Sequence, residues 1–194
     1  KHFNSTIEMF TRAFCTAEPI TQYVHMQFEE FRSFARAVVG KCIDDGLSVV
    51  GVDKGRIIAC SLVEDLINPL QLASIHPKFE SIFALLEQLG VGLAQYQFAK
   101  NQVAHLFITA VDDRYRRQHL STQVNFRAME MARQAGFSQM YCEFTNYFNE
   151  RGTMSYIAQK QLVGSIRYSE FKLINSLPFA GLAGGAQSFL WSIR

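Results

Sequence analysis

The chain has 194 residues, 48% of them hydrophobic, with 17 Phe and a formal charge of +2. That length suits one large domain spanning residues 1–194, and no Pro/Gly/Ser-rich linker divides it. The near-balanced charge argues against nucleic-acid binding, no apolar run is long enough to span a bilayer, and no stretch reads as a signal peptide. Cys15, Cys42, Cys60 and Cys142 sit singly within apolar segments, without metal-ligand spacing. They read as small core residues of a metal-free protein in a reducing, cytoplasmic setting. The chain opens on Lys1 rather than Met, which leaves room for an upstream segment.

In chain order, Phe3, Ile7, Phe10 and Phe14 recur at helical spacing. A second helix is expected from about Met26 to Asp44, burying Phe28, Phe31, Ala35, Val38 and Cys42 and ending at Gly46. Two β-rich runs, Leu47–Val52 and Arg56–Val63, flank a turn at Asp53-Lys54-Gly55 and read as an antiparallel hairpin. A loop is expected from Ile67 to Pro77. A third helix carries Phe79, Ile82, Phe83, Leu86, Leu89 and Leu93, with Gly90 and Gly92 as weak points. A buried strand at Leu106–Val111 leads through a basic loop into a helix with Leu120, Val124, Ala128, Met131 and Ala135 on one face, closed by Gly136. Gln139–Phe144 reads as a strand parallel to the previous one, with a right-handed crossover. A short helix is expected over about Gly152–Gln161. Strands are expected at Val163–Phe171 and Gln187–Ile193.

The junction Val111-Asp112-Asp113-Arg114-Tyr115-Arg116-Arg117-Gln118-His119-Leu120-Ser121-Thr122 carries the strongest functional signal. A strand that passes through a short loop into a helix aims several unpaired backbone N–H groups and a positive dipole end at one point. That arrangement suits a phosphate. Arg116 and Arg117 add charge beside it, where cations oppose the dipole unless an anion is present.

The frame Arg116 to Ser121 resembles the coenzyme A pyrophosphate loop of the GNAT (GCN5-related) N-acetyltransferases. His119 and Ser121 stand where that family has Gly and then Gly or Ala, so a side chain occupies a position normally left as bare backbone. The element order, ααββαβαβαββ, is also similar once an initial strand is allowed before residue 1. The resemblance implies an α/β three-layer fold with a mixed sheet of about six to seven strands and a β-α-β core for acetyl-CoA. Further motifs resemble the insect-type arylalkylamine N-acetyltransferase branch. These are Ala17-Glu18-Pro19-Ile20 after the first helix, Asp45–Asp53 with Gly55–Ala59 at the hairpin, and Arg167-Tyr168-Ser169-Glu170-Phe171 near the C-terminus.

The resemblance implies an acetyl-CoA-dependent transferase that acetylates a small primary amine, an arylalkylamine among the options, as a monomer or homodimer. Glu18 maps to the general base. That role suits a carboxylate in an aromatic surround, because an ammonium must lose a proton before it attacks a thioester. The bland alternative for Glu18 is an ordinary residue at a helix start beside Pro19. The family's acid Tyr falls on Ala158 when Lys160 is aligned with the usual Lys, which leaves Ser155 and Tyr156 as candidate acids or as packing residues. The backbone of Thr109, Ala110 and Val111 is expected to pair with pantetheine. Arg116, Arg117, Gln118, His119, Leu120, Ser121 and Thr122 are expected to hold the pyrophosphate. Asn146 and Asn149 are expected near the coenzyme, or as helix caps. His105 is expected to be a hydrogen-bonded core or edge residue. The rival expectation is a coenzyme A-binding module with little or no activity, favoured by His119 and Ala158.

Overall fold

A computed structural model describes residues 2–72 and 76–194, so part of the loop expected at Ile67–Pro77 lies outside the described residues. The elements are α1 (Phe3–Ala17), α2 (Pro19–Tyr23), α3 (Phe28–Asp44), β1 (Val49–Asp53), β2 (Arg56–Asp65), α4 (Phe79–Gly90), β3 (Val103–Val111), α5 (Leu120–Gln134), β4 (Gln139–Phe144), α6 (Tyr147–Met154), β5 (Lys160–Arg167) and β6 (Gly185–Ser192). One mixed sheet runs in the order β1-β2-β3-β4-β6-β5. Every pair is antiparallel except β3 with β4.

The hairpin forms where the sequence places it. Lys54 and Gly55 both take positive φ (47° and 79°) between the paired Asp53 and Arg56, as a tight two-residue hairpin turn demands. β2 is buried along its length after Arg56, which fits a mostly apolar strand paired on both edges within a covered sheet. On one face, α1, α3 and α4 bury an aromatic cluster of Phe10, Phe31, Phe34 and Phe79. Phe10 meets Phe31 edge-on at 5.2 Å between ring centroids, a favoured aromatic geometry. On the other face, α5 presents Ala128, Met129 and Ala132 to Leu106, Met140 and Trp191. Small residues on the helix let it lie close to the sheet.

The helix expected over Gly152–Gln161 is displaced. Asn146 starts α6 earlier by accepting hydrogen bonds from the N–H groups of Phe148 and Asn149. Lys160 opens β5 instead, and its ammonium donates to the carbonyls of Met154 (2.7 Å) and Ile157 (3.1 Å), closing the chain after α6. β5 also ends earlier than expected, at Arg167, because Tyr168 turns into a short 3-10 segment. α4 ends at Gly90 and tightens into 3-10 geometry through Gln95. β5 passes so near that end that a Cβ on Gly164 would stand 2.4 Å from the Leu89 carbonyl oxygen. Only glycine fits there.

Candidate active site

β3 and β4 pair over three positions only, from Val103 with Gln139 to His105 with Tyr141, and then diverge. Past that apex, the edge of β3 facing β4 has no strand beside it. β3 also carries a bulge against β2, where Leu62 pairs with Ile108 and Val63 with Leu106, leaving Phe107 as the extra residue. A bulge twists a strand and re-aims its side chains and backbone groups. The divergence and the bulge together open a cleft of about 270 Å³ through the sheet. One side is aromatic, with Phe14, Phe31, Phe34, Phe79 and Phe83. The other is formed by residues 106–111 of β3, Glu143, Thr145, Asn146 and Asn149.

Glu18 lies on this wall at the break between α1 and α2. Pro19 cannot continue the α1 hydrogen-bond ladder, so the chain breaks at Glu18 and restarts there. The carboxylate caps α2, accepting from the Ile20 N–H at 3.3 Å and the Thr21 N–H at 2.6 Å. The Thr145 hydroxyl donates to it from across the cleft at 2.8 Å. Burial raises its pKa above the ordinary value, even though these hydrogen bonds favour the ionised form. The ordinary capping role and the reactive environment therefore coexist in one side chain. Tyr168, buried behind it, donates to the Thr145 carbonyl at 2.5 Å and fixes the turn that presents Thr145.

Among residues expected to contact coenzyme, Thr109, Ala110, Val111, Arg116, Ser121, Asn146 and Asn149 line the same cleft as Glu18. The Thr109 hydroxyl points away, donating to Asn125 at 2.8 Å, so its backbone is what faces the gap. Asn146 serves as the α6 cap. Asn149 keeps a buried side-chain oxygen without a partner among the described residues. Such an orphan acceptor on a cleft wall fits an amide N–H of a bound arm. Arg117, Gln118, His119, Leu120 and Thr122 do not line the cleft; the first two lie in the loop before α5, His119 caps the helix, and Leu120 and Thr122 stand in its first turn. Thr122 uses its hydroxyl on the Gly152 carbonyl, joining α5 to α6.

The basic loop keeps the backbone shape of a glycine loop without the glycines. Arg117 and His119 sit at φ 61° and 57°, and His119 is the residue that opens α5. Left-handed geometry at a residue with a Cβ costs about 1–2 kcal/mol. Asp113 accepts from the Thr16 hydroxyl at 3.2 Å and is ion-paired with Arg116. The Tyr115 hydroxyl donates to Asp53 at 2.7 Å. Arg116 therefore already has a carboxylate, and the argument that its charge awaits an anion passes to Arg117. The backbone N–H groups of Arg117, Gln118, His119, Leu120, Ser121 and Thr122 have no acceptor among the described residues. They make a cradle of donors at a helix N-terminus.

The structure leaves Ser155 and Tyr156 out of the cleft. Both are exposed at the end of α6, and Tyr156 packs edge-on to Phe126. Their expected position depended on a helix that the chain does not form there. Cys142 lies on the wall, but burial first, and then Glu143, hold its thiol well above the ordinary value, so it is a poor nucleophile. His105 is the hydrogen-bonded core residue expected, and Tyr168 lies in the Arg167–Phe171 motif. Thr145 and the partners of His105, Glu64 and Glu143, escape sequence reasoning, and only the spacing of Thr145 after the β4 run offers any signal.

No protein-family model matches the sequence, and no curated protein matches it. Solved structures do. The C-terminal condensation domain of Ebony, in complex with beta-alanyl-dopamine, superposes at a TM-score of 0.87 with 17% identity, over 98% of this chain and 94% of that one. Arylalkylamine N-acetyltransferase 2 from Aedes aegypti gives 0.81 and 20%, over 100% and 95%. The fold is that of the GNAT N-acetyltransferases. The Drosophila melanogaster polyamine N-acetyltransferase, an enzyme that forms N-acetylagmatine, shares this GNAT fold at a TM-score of 0.75 and 15% identity, over 98% and 95%. In the GNAT fold of this chain, the diverging pair β3 and β4 forms the cleft and the basic loop closes its outer end.

Proposed function

We propose that residues 1–194 form an N-acyltransferase domain that moves an acetyl group from acetyl-CoA directly to a small primary amine. The observation that carries this reading is Glu18. It is a buried carboxylate with raised basicity, held by three donors, at the meeting point of an aromatic chamber and an unpaired strand edge. The unpaired edge at Thr109, Ala110 and Val111 suits pairing with a pantetheine arm. Asn149 supplies an acceptor for the same arm. The N–H cradle from Arg117 to Thr122, with Arg116 and Arg117 beside it, suits the pyrophosphate. The acceptor amine enters the aromatic chamber, and Glu18 removes its proton directly or through one water. The amine nitrogen attacks the thioester carbon, the C–N bond forms as the C–S bond breaks, and the thiolate takes its proton from solvent. In this reading backbone N–H groups of β3 polarise the carbonyl.

The Aedes aegypti and Drosophila melanogaster enzymes named above support amine acylation as the reaction class, and they act on different amines. The free cysteines support a reducing, cytoplasmic setting. No helix among the described residues is long and apolar enough to cross a membrane. One observation favours a second reading, a coenzyme A-binding module. Arg117 and His119 hold left-handed geometry at a cost, and the His119 side chain stands at the cradle. Thiol release from acetyl-CoA over a panel of amines separates the two. Amine-dependent release that Glu18→Gln abolishes at neutral pH is expected. Saturable coenzyme A binding without release from any amine would establish the module.

A further inference from the structure

The cleft holds a second carboxylate that proton removal by Glu18 does not use. Glu143 lies in β4 two residues before Thr145, which follows the strand's last residue, and an extended chain places it about 7 Å deeper. Its side chain lines the cavity. His105 holds it from behind, with Nε2 2.7 Å from a Glu143 oxygen and Nδ1 3.1 Å from Glu64. Burial works against a charged imidazole, but the two carboxylates outweigh it and push His105 up to about 10. Two carboxylates around one imidazolium leave a net negative charge at the apex where β3 and β4 part.

The charges in this cluster are unequally satisfied. The second oxygen of Glu64 accepts from the Leu70 N–H at 2.8 Å. The second oxygen of Glu143 has no partner among the described residues, although its side chain is only 11% exposed. Tyr141, on the same face of β4 and in ring contact with His105 at 5.6 Å, is buried behind the cavity wall, where burial first, and then the Glu143 charge, raise its phenol well above the ordinary value. Unneutralised charge beside aromatic walls is costly unless a counter-charge arrives. We infer that the apex of the cleft is a cation subsite that takes a second protonated amine, about 7 Å from the amine served by Glu18. That separation suits a short alkyl chain between two nitrogens. The second ammonium has two sources. One is an aminoacyl thioester whose acyl group reaches past the Phe107 bulge, and the other is a diamine acceptor.

The inference rests on the acyltransfer reading, and its test keeps the two apart. Initial rates on the intact chain are measured with acetyl-CoA and 3-aminopropanoyl-CoA, each against 2-phenylethylamine and 1,4-diaminobutane. Glu143→Gln is expected to lower the preference in kcat/KM for the ammonium-bearing pair by about tenfold or more, mostly through KM. Glu143→Asp is expected to restore much of it. The substrate whose preference falls identifies the source. An equal effect on every pair, or none, overturns the subsite. Calorimetry without turnover compares 3-aminopropanoyl-CoA with propanoyl-CoA, and 1,4-diaminobutane with butylamine. Tighter binding of an ammonium-bearing ligand, lost in Glu143→Gln, supports the subsite even where no product forms. Equal binding of both members of each pair overturns it, whether or not acetyl transfer occurs.

Discussion

The two ends of the cleft are built on different terms. At the inner end, Glu18 is held by donors from two separate parts of the chain, Tyr168 braces the turn that supplies one of them, and His105 sits locked between carboxylates from β2 and β4. At the outer end, the basic loop is exposed, its charges are satisfied mostly by near neighbours, and two of its residues sit in left-handed geometry. The inner end is over-determined by contacts between distant residues. The outer end is a local backbone shape. Substitutions inside should therefore cost chemistry and folding together, whereas substitutions outside should move ligand affinity with little change in the fold.

The sharpest way to break this contrast is at Glu18. Glu18→Gln should lower kcat/KM about 10²–10⁴-fold near neutral pH, as loss of a general base does, with partial recovery at alkaline pH where free amine accumulates. Rates measured across pH would show it, and a flat loss at every pH would point to a binding role instead. Next is the aromatic wall. Phe31→Ala removes a fully buried ring and should destabilise the protein by about 3–5 kcal/mol, read from the denaturant midpoint. Gly164→Ala should also destabilise, because its methyl would meet the Leu89 carbonyl.

A smaller effect comes from pH. His105 is raised from about 6.5 to about 10 in the fold, so its contribution to stability is complete below about 6.5 and is lost as pH rises through about 10. Denaturant titrations should show stability falling from pH 7 to pH 9, before the buried cysteines add a fall of the same sign. A rise over that range would contradict the carboxylate clamp. The smallest effect belongs to the outer end. His119→Gly should relieve left-handed strain, stabilise by roughly 1 kcal/mol and strengthen coenzyme A binding, both readable by calorimetry and thermal melting.

The same contrast explains what could be read from sequence. The hairpin turn, the strand–loop–helix at Val111 to Thr122 and the Glu-Pro break at Glu18 are local patterns, and each lies where its residues predict. The helix expected over Gly152–Gln161 forms earlier, as α6, because Asn146 caps its start and the Lys160 ammonium closes its end from the next strand. The candidate acids Ser155 and Tyr156 moved out of the cleft for the same reason. His105 is the hydrogen-bonded core residue its position predicts, but its partners lie 41 and 38 positions away. Nothing in local spacing announces such a contact.

The three-residue seam between β3 and β4 has a mechanical consequence. It makes the sheet two half-sheets, β1-β2-β3 and β4-β6-β5, stitched at one end only. A ligand arm lying along β3 would complete the weave and brace the halves against each other. The substrate would then act as a removable structural member, and amide hydrogen exchange along β3 and β4 beyond the seam should slow most when it is in place.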